Sequence, residues 1–506
     1  MSTIARVTSV KTHGVNPVQT TVEVQVTAGI GIHLVGLADQ AVKESLLRTV
    51  TALQANGYRI PGKKVVINLA PADIRMGASE YDLPIALGII AASGQRVLSG
   101  LGKYVIAGEI GLDGSVRDIP GWMQAAELAK SLGMDCILPT ESAKLAARVL
   151  GRKVNIYGVD SLSEALDILV YGAPEWTARD DYECDERMVK ESNMEEYGYW
   201  DSIKGQPGAK RALEIAAAGG HPILLMGIPG SGKLALAKAL REILPPMSEE
   251  EKLEVQRIYS VTNRNITLGA RPFRAPHVSA SISAMLGGGS GERVLPGEVS
   301  LAHGGVFCLQ DFSEAPKSIT EAMRAVMEDG KVTLSRLRGK VEYPAKFLPV
   351  FTTLPCPCGY YGDGDRCTCT PNQKAAFLAR MNGPVMDMLT VQVFVNTPIP
   401  TELVGESREL VAERVAKARK VQMKRQGKLN DELNWREVEK YAKLGENSGE
   451  MLETVIVRMG LSTRSYYRII KMARTIADLE ECEAVLPQHI AEAAAYRFLD
   501  KKREEE

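Results

Sequence analysis

The sequence predicts an α/β chain of several domains, and three observations carry that prediction. Strand-like and helix-like stretches alternate from Met1 to about Tyr171; a short apolar strand runs into the pattern G-x-x-x-x-G-K and then a helix at 222–244; and the text beyond Pro398 has helical periodicity. The 506 residues suffice for roughly two to four domains with separate cores, and 45% hydrophobic with 24% charged residues is an ordinary globular composition.

In the first region, TVEVQVTAGI (21–30) places β-branched residues at period two. ADQAVKESLLRTVTALQANG (38–57) has helical spacing closed by a glycine, and KKVVINLAP (63–71) is strand again. Residues 172–200, GAPEWTARDDYECDERMVKESNMEEYGYW, are acidic and poor in aliphatics. They read as a linker, with a surface strap packed by Trp176 and Trp200 as the alternative. From Asp201 to about Thr397, PILLMG (222–227) and KLALAKALREIL (233–244) flank the glycine-rich loop. Helical patterns then follow at 407–428, 434–445, 449–460, 463–480 and 486–502. The predicted organisation is therefore an α/β domain over 1–171, a linker over 172–200, a phosphate-loop domain over 201–397 and a helical domain over 398–506.

A net charge of -1 and a pI near 6.7 give no global field for nucleic acid, so any such contact must come from local patches. MSTIARVTSVKTHG lacks the charged-then-apolar pattern of a secretory signal, and no apolar run reaches the eighteen or so residues that span a bilayer. A cytoplasmic location without membrane contact is the expectation.

The loop itself, Gly227, Ile228, Pro229, Gly230, Ser231, Gly232, Lys233 and Leu234, carries the chemistry. Glycines admit positive φ, which turns successive N–H groups inward around phosphate oxygens at a helix N-terminus, where the dipole also favours negative charge. Lys233 adds a point charge for the β- and γ-phosphates. ATP or ADP is the expected ligand. In such loops the residue after the lysine offers a hydroxyl to Mg²⁺, and Leu234 has none; magnesium retains most of its waters, so this loss alone is tolerable.

Phosphate-loop enzymes also place Asp-Glu after an apolar strand, the first for the metal and the second to polarise water. Here the corresponding text is GGVFCLQDFSE (304–314). If the strand ends at Leu309, Gln310 replaces the metal carboxylate and Asp311 the base. If it ends one residue later, Asp311 takes the metal position and Phe312 the base. Neither register restores the pair, and Asp311 is the remaining candidate catalytic carboxylate.

The segments VVINLAPADIR, YDLPIALGIIAASGQ, GEIGLDGSVRDIPG, RPFRAPH, PGEVSLAHGGV, PCPCGYYGD and LSTRSYYRIIKMARTIADL are dispersed along nearly the whole chain. Together they resemble the magnesium-chelatase-like AAA+ proteins of the YifB/ComM type. The resemblance implies a Lon-protease-like N-terminal domain, an AAA+ core, a C-terminal helical lid and assembly into a hexameric ring. It further implies DNA branch migration, as in ComM members, with delivery of metal to a tetrapyrrole, as in chelatase subunits, as a weaker alternative. Where the family reads G-K-T, G-V-L-F-L-D-E-L, A-M-N-P-C-P-C-G and L-L-D-R-I-D, this chain has Leu234, Gln310 with Asp311, Leu354 and Met388. Metal ligand, water activator, sensor asparagine and the arginine offered to a neighbour are altered together. Lys233 survives, as does Arg464, which resembles the lid arginine that contacts a γ-phosphate. One lost transition-state group costs roughly 10²- to 10³-fold, and a trans arginine about 10³- to 10⁵-fold. The expectation is a DNA-associated nucleotide binder that hydrolyses poorly, as a homo-hexamer or in a hetero-ring with an active paralogue. The alternative is a working ATP-dependent motor.

Three further groups bear on function. Cys356, Cys358, Cys367 and Cys369 form C-x-C, eight residues, C-x-C, a set able to close a tetrahedral Zn²⁺ site or to remain four free thiols. Ser79 falls near the serine of Lon-like peptidases, but Ala125 stands near the expected lysine, so that domain reads as an interaction platform. Arg271, Arg274 and His277, with Arg336, Arg338 and Lys340 on an expected hairpin, lie in inserts that face the ring pore in the family and would track a nucleic-acid backbone. Solvated loop charges are the other reading. The basic helix from Arg408 to Lys428 is expected to present a solvated face.

Overall fold

The computed structural model describes residues 4–35, 40–71, 79–174, 178, 198–262, 264, 266–289, 294–336, 339–363, 366–381, 384–396 and 405–500. Strands β1 (Ile4–His13), β2 (Asn16–Thr27), β3 (Ile32–Val35), β4 (Lys64–Ala70), β5 (Tyr104–Ile106), β6 (Asp135–Pro139) and β7 (Ile156–Val159) form a seven-stranded sheet in the order β3-β4-β2-β1-β5-β6-β7. The period-two text of β2 sends Val22 and Val24 into the core. Helix α1 (Gln40–Ala55) and the apolar helix α2 (Asp82–Ala92) cover that sheet. Helix α2 sits so close that a Cβ on Gly88 would lie 2.6 Å from Val24 Cγ2. Helix α3 (Trp122–Leu132) turns toward the rest of the chain.

The second sheet is five-stranded and parallel: β8 (Ile223–Gly227), β9 (Phe273–Arg274), β10 (Val306–Leu309), β11 (Leu348–Thr353) and β12 (Val391–Val395), in the order β9-β10-β11-β8-β12. Residues 223–226 of β8 are buried, which explains their continuous apolar run. An antiparallel hairpin, Lys331–Arg336 paired with Gly339–Pro344, forms at the predicted place, and its Val341 and Tyr343 are buried beside Val15 of the first domain.

The two sheets are joined through α3. Gly121 N–H donates to Ser260 O at 2.7 Å, the Gln124 amide donates to Val15 O and Arg257 O, both at 3.1 Å, and Arg257 pairs with Glu127 at 2.8 Å. Ala125, where a peptidase lysine would stand, is buried on this docking helix.

The linker reading needs amendment at its end. Trp200 is buried, its indole N–H donates to Glu406 O at 3.0 Å, and Glu242 accepts the N–H groups of Gly198, Tyr199 and Trp200. Trp176 lies outside the described residues.

Five helices follow: α4 (Arg408–Gln426), α5 (Trp435–Tyr441), α6 (Ser448–Met459), α7 (Thr463–Leu479) and α8 (Pro487–Ala495). The expected solvated face of α4 is present at Glu413, Lys417, Lys420 and Lys424, while three of its arginines turn to the protein: Arg414 pairs with Glu214 at 2.7 Å, Arg425 with Asp478 at 2.6 Å, and Arg419 Nε–H donates to Ala217 O. These arginines fasten the helix to its neighbours because Val411, Val415 and Ala418 bury the adjoining stripe. Among the described residues, no helix is long and apolar enough to cross a membrane.

Candidate functional site

Strand β8 ends at Gly227, and the helix after the loop runs Lys233–Glu242. Gly230 (φ 79°) and Gly232 (φ 87°) occupy the left-handed region, as a loop with inward N–H groups requires. Gly227 does not; the expectation of positive φ there is corrected. Its constraint is space, since a Cβ would meet Val395 O at 2.5 Å and Ser231 Oγ at 2.8 Å. The buried Ser231 hydroxyl donates to Ile228 O at 2.9 Å. Gln206, itself left-handed (φ 56°), donates its side-chain amide to Ser231 O and to Asn396 O, both at 3.0 Å, tying the loop to the end of β12. Pro229 and Gly230 remain exposed, and Ile228 is buried.

Lys233 stands on the first turn of that helix, and its ammonium donates to Gly227 O at 2.7 Å and Ile228 O at 2.9 Å. Burial lowers its pKa, and the carboxylate of Asp311 pulls it the other way. That opposition places Asp311 on the same electrostatic site. Leu234, half-buried, packs against the main core instead of facing the loop.

Strand β10 ends at Leu309, the end point that goes with the first register, in which Gln310 would stand at the metal-carboxylate position and Asp311 at the base position. Asp311 is in the left-handed region (φ 49°, ψ 47°), a conformation costing a non-glycine residue roughly 1–2 kcal/mol. Its N–H donates to Thr352 Oγ1 at 3.2 Å, an acceptor on the neighbouring strand that helps to hold it there. Leu354, just past β11, is half-buried in the core on that face.

The residues offered for phosphate thus divide. Amides at a helix start, two left-handed glycines and a half-buried ammonium suit a polyphosphate tail. Leu234, the neutral Gln310 and the single carboxylate of Asp311 make a poor donor set for Mg²⁺, which favours carboxylate and hydroxyl oxygens.

Arg464 is placed elsewhere. Its partner is Asp387, at 3.6 Å, on the short helix Pro384–Met388 that leads into the start of β12. Val391 of β12 pairs with Ile223, and Val395 with Gly227. Asp387 therefore precedes the N-terminal edge of the sheet, whereas Lys233 follows its C-terminal edge. Arg464 thus lies toward the opposite edge of the sheet from Lys233 of the same chain, a separation set by connectivity along the sheet and invisible in a motif.

The pore candidates also separate. The Arg271 guanidinium donates to Pro245 O at 2.6 Å and Gly304 O at 2.5 Å and pairs with Glu251 at 3.2 Å, with the side chain 9% exposed, so it serves the fold. Arg274 binds Glu298 at 2.6 Å. His277 is exposed and bonded to Ser279 Oγ at 2.8 Å. Lys340 is exposed on the hairpin, but Glu342 pairs with both it and Lys331 at 2.9 Å. Those two cations hold the Glu342 carboxyl down to about 2. Arg338 and the side chain of Arg336 lie outside the described residues.

The four cysteines converge. Cys356 and Cys358 sulfurs are 3.3 Å apart, Cys356 and Cys367 3.8 Å, and Cys358 and Cys367 3.7 Å, with all four within 4.8 Å of one another. Zn–S bonds of about 2.3 Å in a tetrahedron give sulfur–sulfur edges of about 3.8 Å. The set fits zinc. Sequence reasoning missed Gln206, Gln124 and Thr352, because each acts on a partner distant in the chain.

Comparison with known proteins follows the same division of the chain. The family described as Magnesium chelatase, subunit ChlI matches residues 200–403; Subunit ChlI of Mg-chelatase matches 22–142; and Magnesium chelatase, subunit ChlI C-terminal matches 405–497. The chain is 38% identical over 499 residues to the protein YifB of Salmonella typhimurium, covering 96% of each. It is 38% identical over 497 residues to YifB of Escherichia coli, again covering 96% of each. To the competence protein ComM of Haemophilus influenzae it is 36% identical over 499 residues, with 96% of each chain covered.

Proposed function

The chain belongs to the YifB/ComM family of magnesium-chelatase-like AAA+ proteins, and from that premise we propose that it binds ATP or ADP firmly while hydrolysing ATP slowly or not at all. The observation that best supports this reading is the end of β10 at Leu309, which favours Gln310 as the counterpart of the metal carboxylate, beside an otherwise well-shaped phosphate loop. In this reading Gly230, Gly232 and the amides through Leu234 hold the phosphates, and Lys233 neutralises them. When bound, magnesium would supply charge neutralisation between the terminal phosphates, and among the described residues beside the loop the carboxylate offered to it is that of Asp311. Several missing transition-state groups, each worth roughly 10²- to 10³-fold, lower turnover far more than they lower ground-state binding.

Calorimetric titration with ATP and ADP, with and without Mg²⁺, followed by steady-state turnover on the same sample, tests this. Micromolar binding with negligible turnover is the expected result; turnover of about one per second, ordinary for an enzyme, would overturn it.

The separation of Arg464 from its own Lys233 supports assembly into a ring, where a neighbour's loop is the phosphate site left for it. The hetero-ring with an active paralogue is the same proposal with a different neighbour. DNA contact rests on His277, Lys340 and the other hairpin cations, and kinship with a competence protein supports it. Affinity for DNA unchanged between low and moderate salt would exclude phosphate contact by these cations.

A further inference from the structure

The cysteine cluster and the phosphate loop touch. Cys356 lies two residues beyond Leu354, at the end of β11, and the C-x-C unit is followed directly by Gly359. Gly359 is left-handed (φ 85°), and a Cβ there would lie 3.2 Å from Pro229 Cδ, 3.3 Å from Pro229 Cγ and 3.6 Å from Leu354 Cδ1. Three residues on, a Cβ added to Gly362 (φ 92°) would lie 3.3 Å from Phe394 Cζ. Phe394 is paired with Met226 on β8, one residue before the loop begins. The turn bounded by the cysteines thus meets the loop at Pro229 and the strand beside β8 at Phe394.

What holds this turn in shape is the sulfur cluster. Cys358 N–H donates to Cys369 Sγ at 3.4 Å, and the guanidinium of Arg366 stacks 4.2 Å from the Tyr360 ring centroid. Four thiols within 4.8 Å of one another are a cross-link only when a cation joins them. Among the described residues of 356–369, Cys356 is buried, but Cys358, Cys367 and Cys369 are only partly so. Binding a divalent, sulfur-preferring cation displaces the thiol protons and fixes both C-x-C arms at once.

We propose that Cys356, Cys358, Cys367 and Cys369 bind one Zn²⁺ per chain, and that this ion sets the phosphate loop through Gly359 and Pro229, so that zinc and nucleotide strengthen each other's binding. The coupling half of this proposal rests on the nucleotide reading given above. Linkage makes the effect reciprocal: the factor by which zinc tightens ATP is the factor by which ATP tightens zinc.

The full chain is purified without added metal and its zinc measured by mass spectrometry. ATP affinity is then measured by calorimetry for loaded, chelator-stripped and zinc-resupplied protein, and zinc release to a chromophoric chelator is timed with and without ATP. One equivalent of zinc, roughly tenfold weaker ATP binding after stripping with recovery on resupply, and ATP-slowed zinc release are the expected results. Gly359→Ala, which leaves every sulfur in place, should keep its zinc while losing most of the coupling. If stripping unfolds the chain, the release rate on loaded protein decides alone. Absence of stoichiometric zinc overturns the proposal. Equal ATP affinity in loaded and stripped protein overturns the coupling and leaves the nucleotide reading standing. Zinc without nucleotide binding in either state overturns the coupling and the nucleotide reading together.

Discussion

The phosphate site has two halves built from different material, and they have fared differently. Around Gly227–Lys233 the groups that would face a phosphate are backbone amides, a helix start and one ammonium. Opposite, at Leu234, Gln310, Asp311 and Leu354, family function depends on side-chain oxygens and amides, and those positions are altered. An amide array persists as long as the strand–turn–helix geometry persists, because every residue type but proline supplies the N–H. A carboxylate or hydroxyl disappears with one substitution. Binding is therefore the more durable property of such a site and turnover the more fragile one.

Putting the side-chain half back should produce the largest change. The combination Leu234→Thr, Gln310→Asp, Asp311→Glu and Leu354→Asn is expected to raise magnesium-dependent turnover at least about 10²-fold, read by phosphate release. No gain from a folded variant would show that the deficit lies elsewhere, Met388 being the next position to change. Breaking the backbone half comes second. Lys233→Ala should weaken ATP about 10- to 100-fold by calorimetry, and should also lower the melting temperature of the ligand-free protein, since it removes bonds to two loop carbonyls. Unaltered affinity would remove the lysine from the site.

The smallest effect sharpens the contrast by its sign. Asp311 lies within electrostatic reach of Lys233, so in the absence of a metal its carboxylate opposes a polyphosphate. Asp311→Asn should tighten magnesium-free ATP binding a few-fold, of order 0.5–1 kcal/mol for a partly solvated like-charge contact. Weaker binding would mean that the carboxylate works through a bound cation, and with that the reading of a binder that hydrolyses slowly or not at all would fail.

Much of this was legible in the sequence. β8 and the helix after the loop were marked by an apolar run between turn residues and by helical spacing, and the period-two text of β2 gave its buried face. The five C-terminal helices likewise fell where their periodicity put them. What escaped depends on separations that no local pattern encodes. Arg271 and Arg274 read as free cations because Glu251 and Glu298 meet them only after folding. Arg464 read as a phosphate contact because a motif reports residue type without reporting which edge of a sheet it reaches. Gly227 read as a conformational glycine, although its neighbour Val395 O makes it a steric one.

The amide of Gln206, bonded to one carbonyl within the loop and to another just past β12, has a thermodynamic corollary. A ligand approaching this turn meets a mould already set, so little ordering entropy remains to oppose its capture. Association should then be fast and governed by diffusion, with differences among nucleotides appearing in how long each one stays.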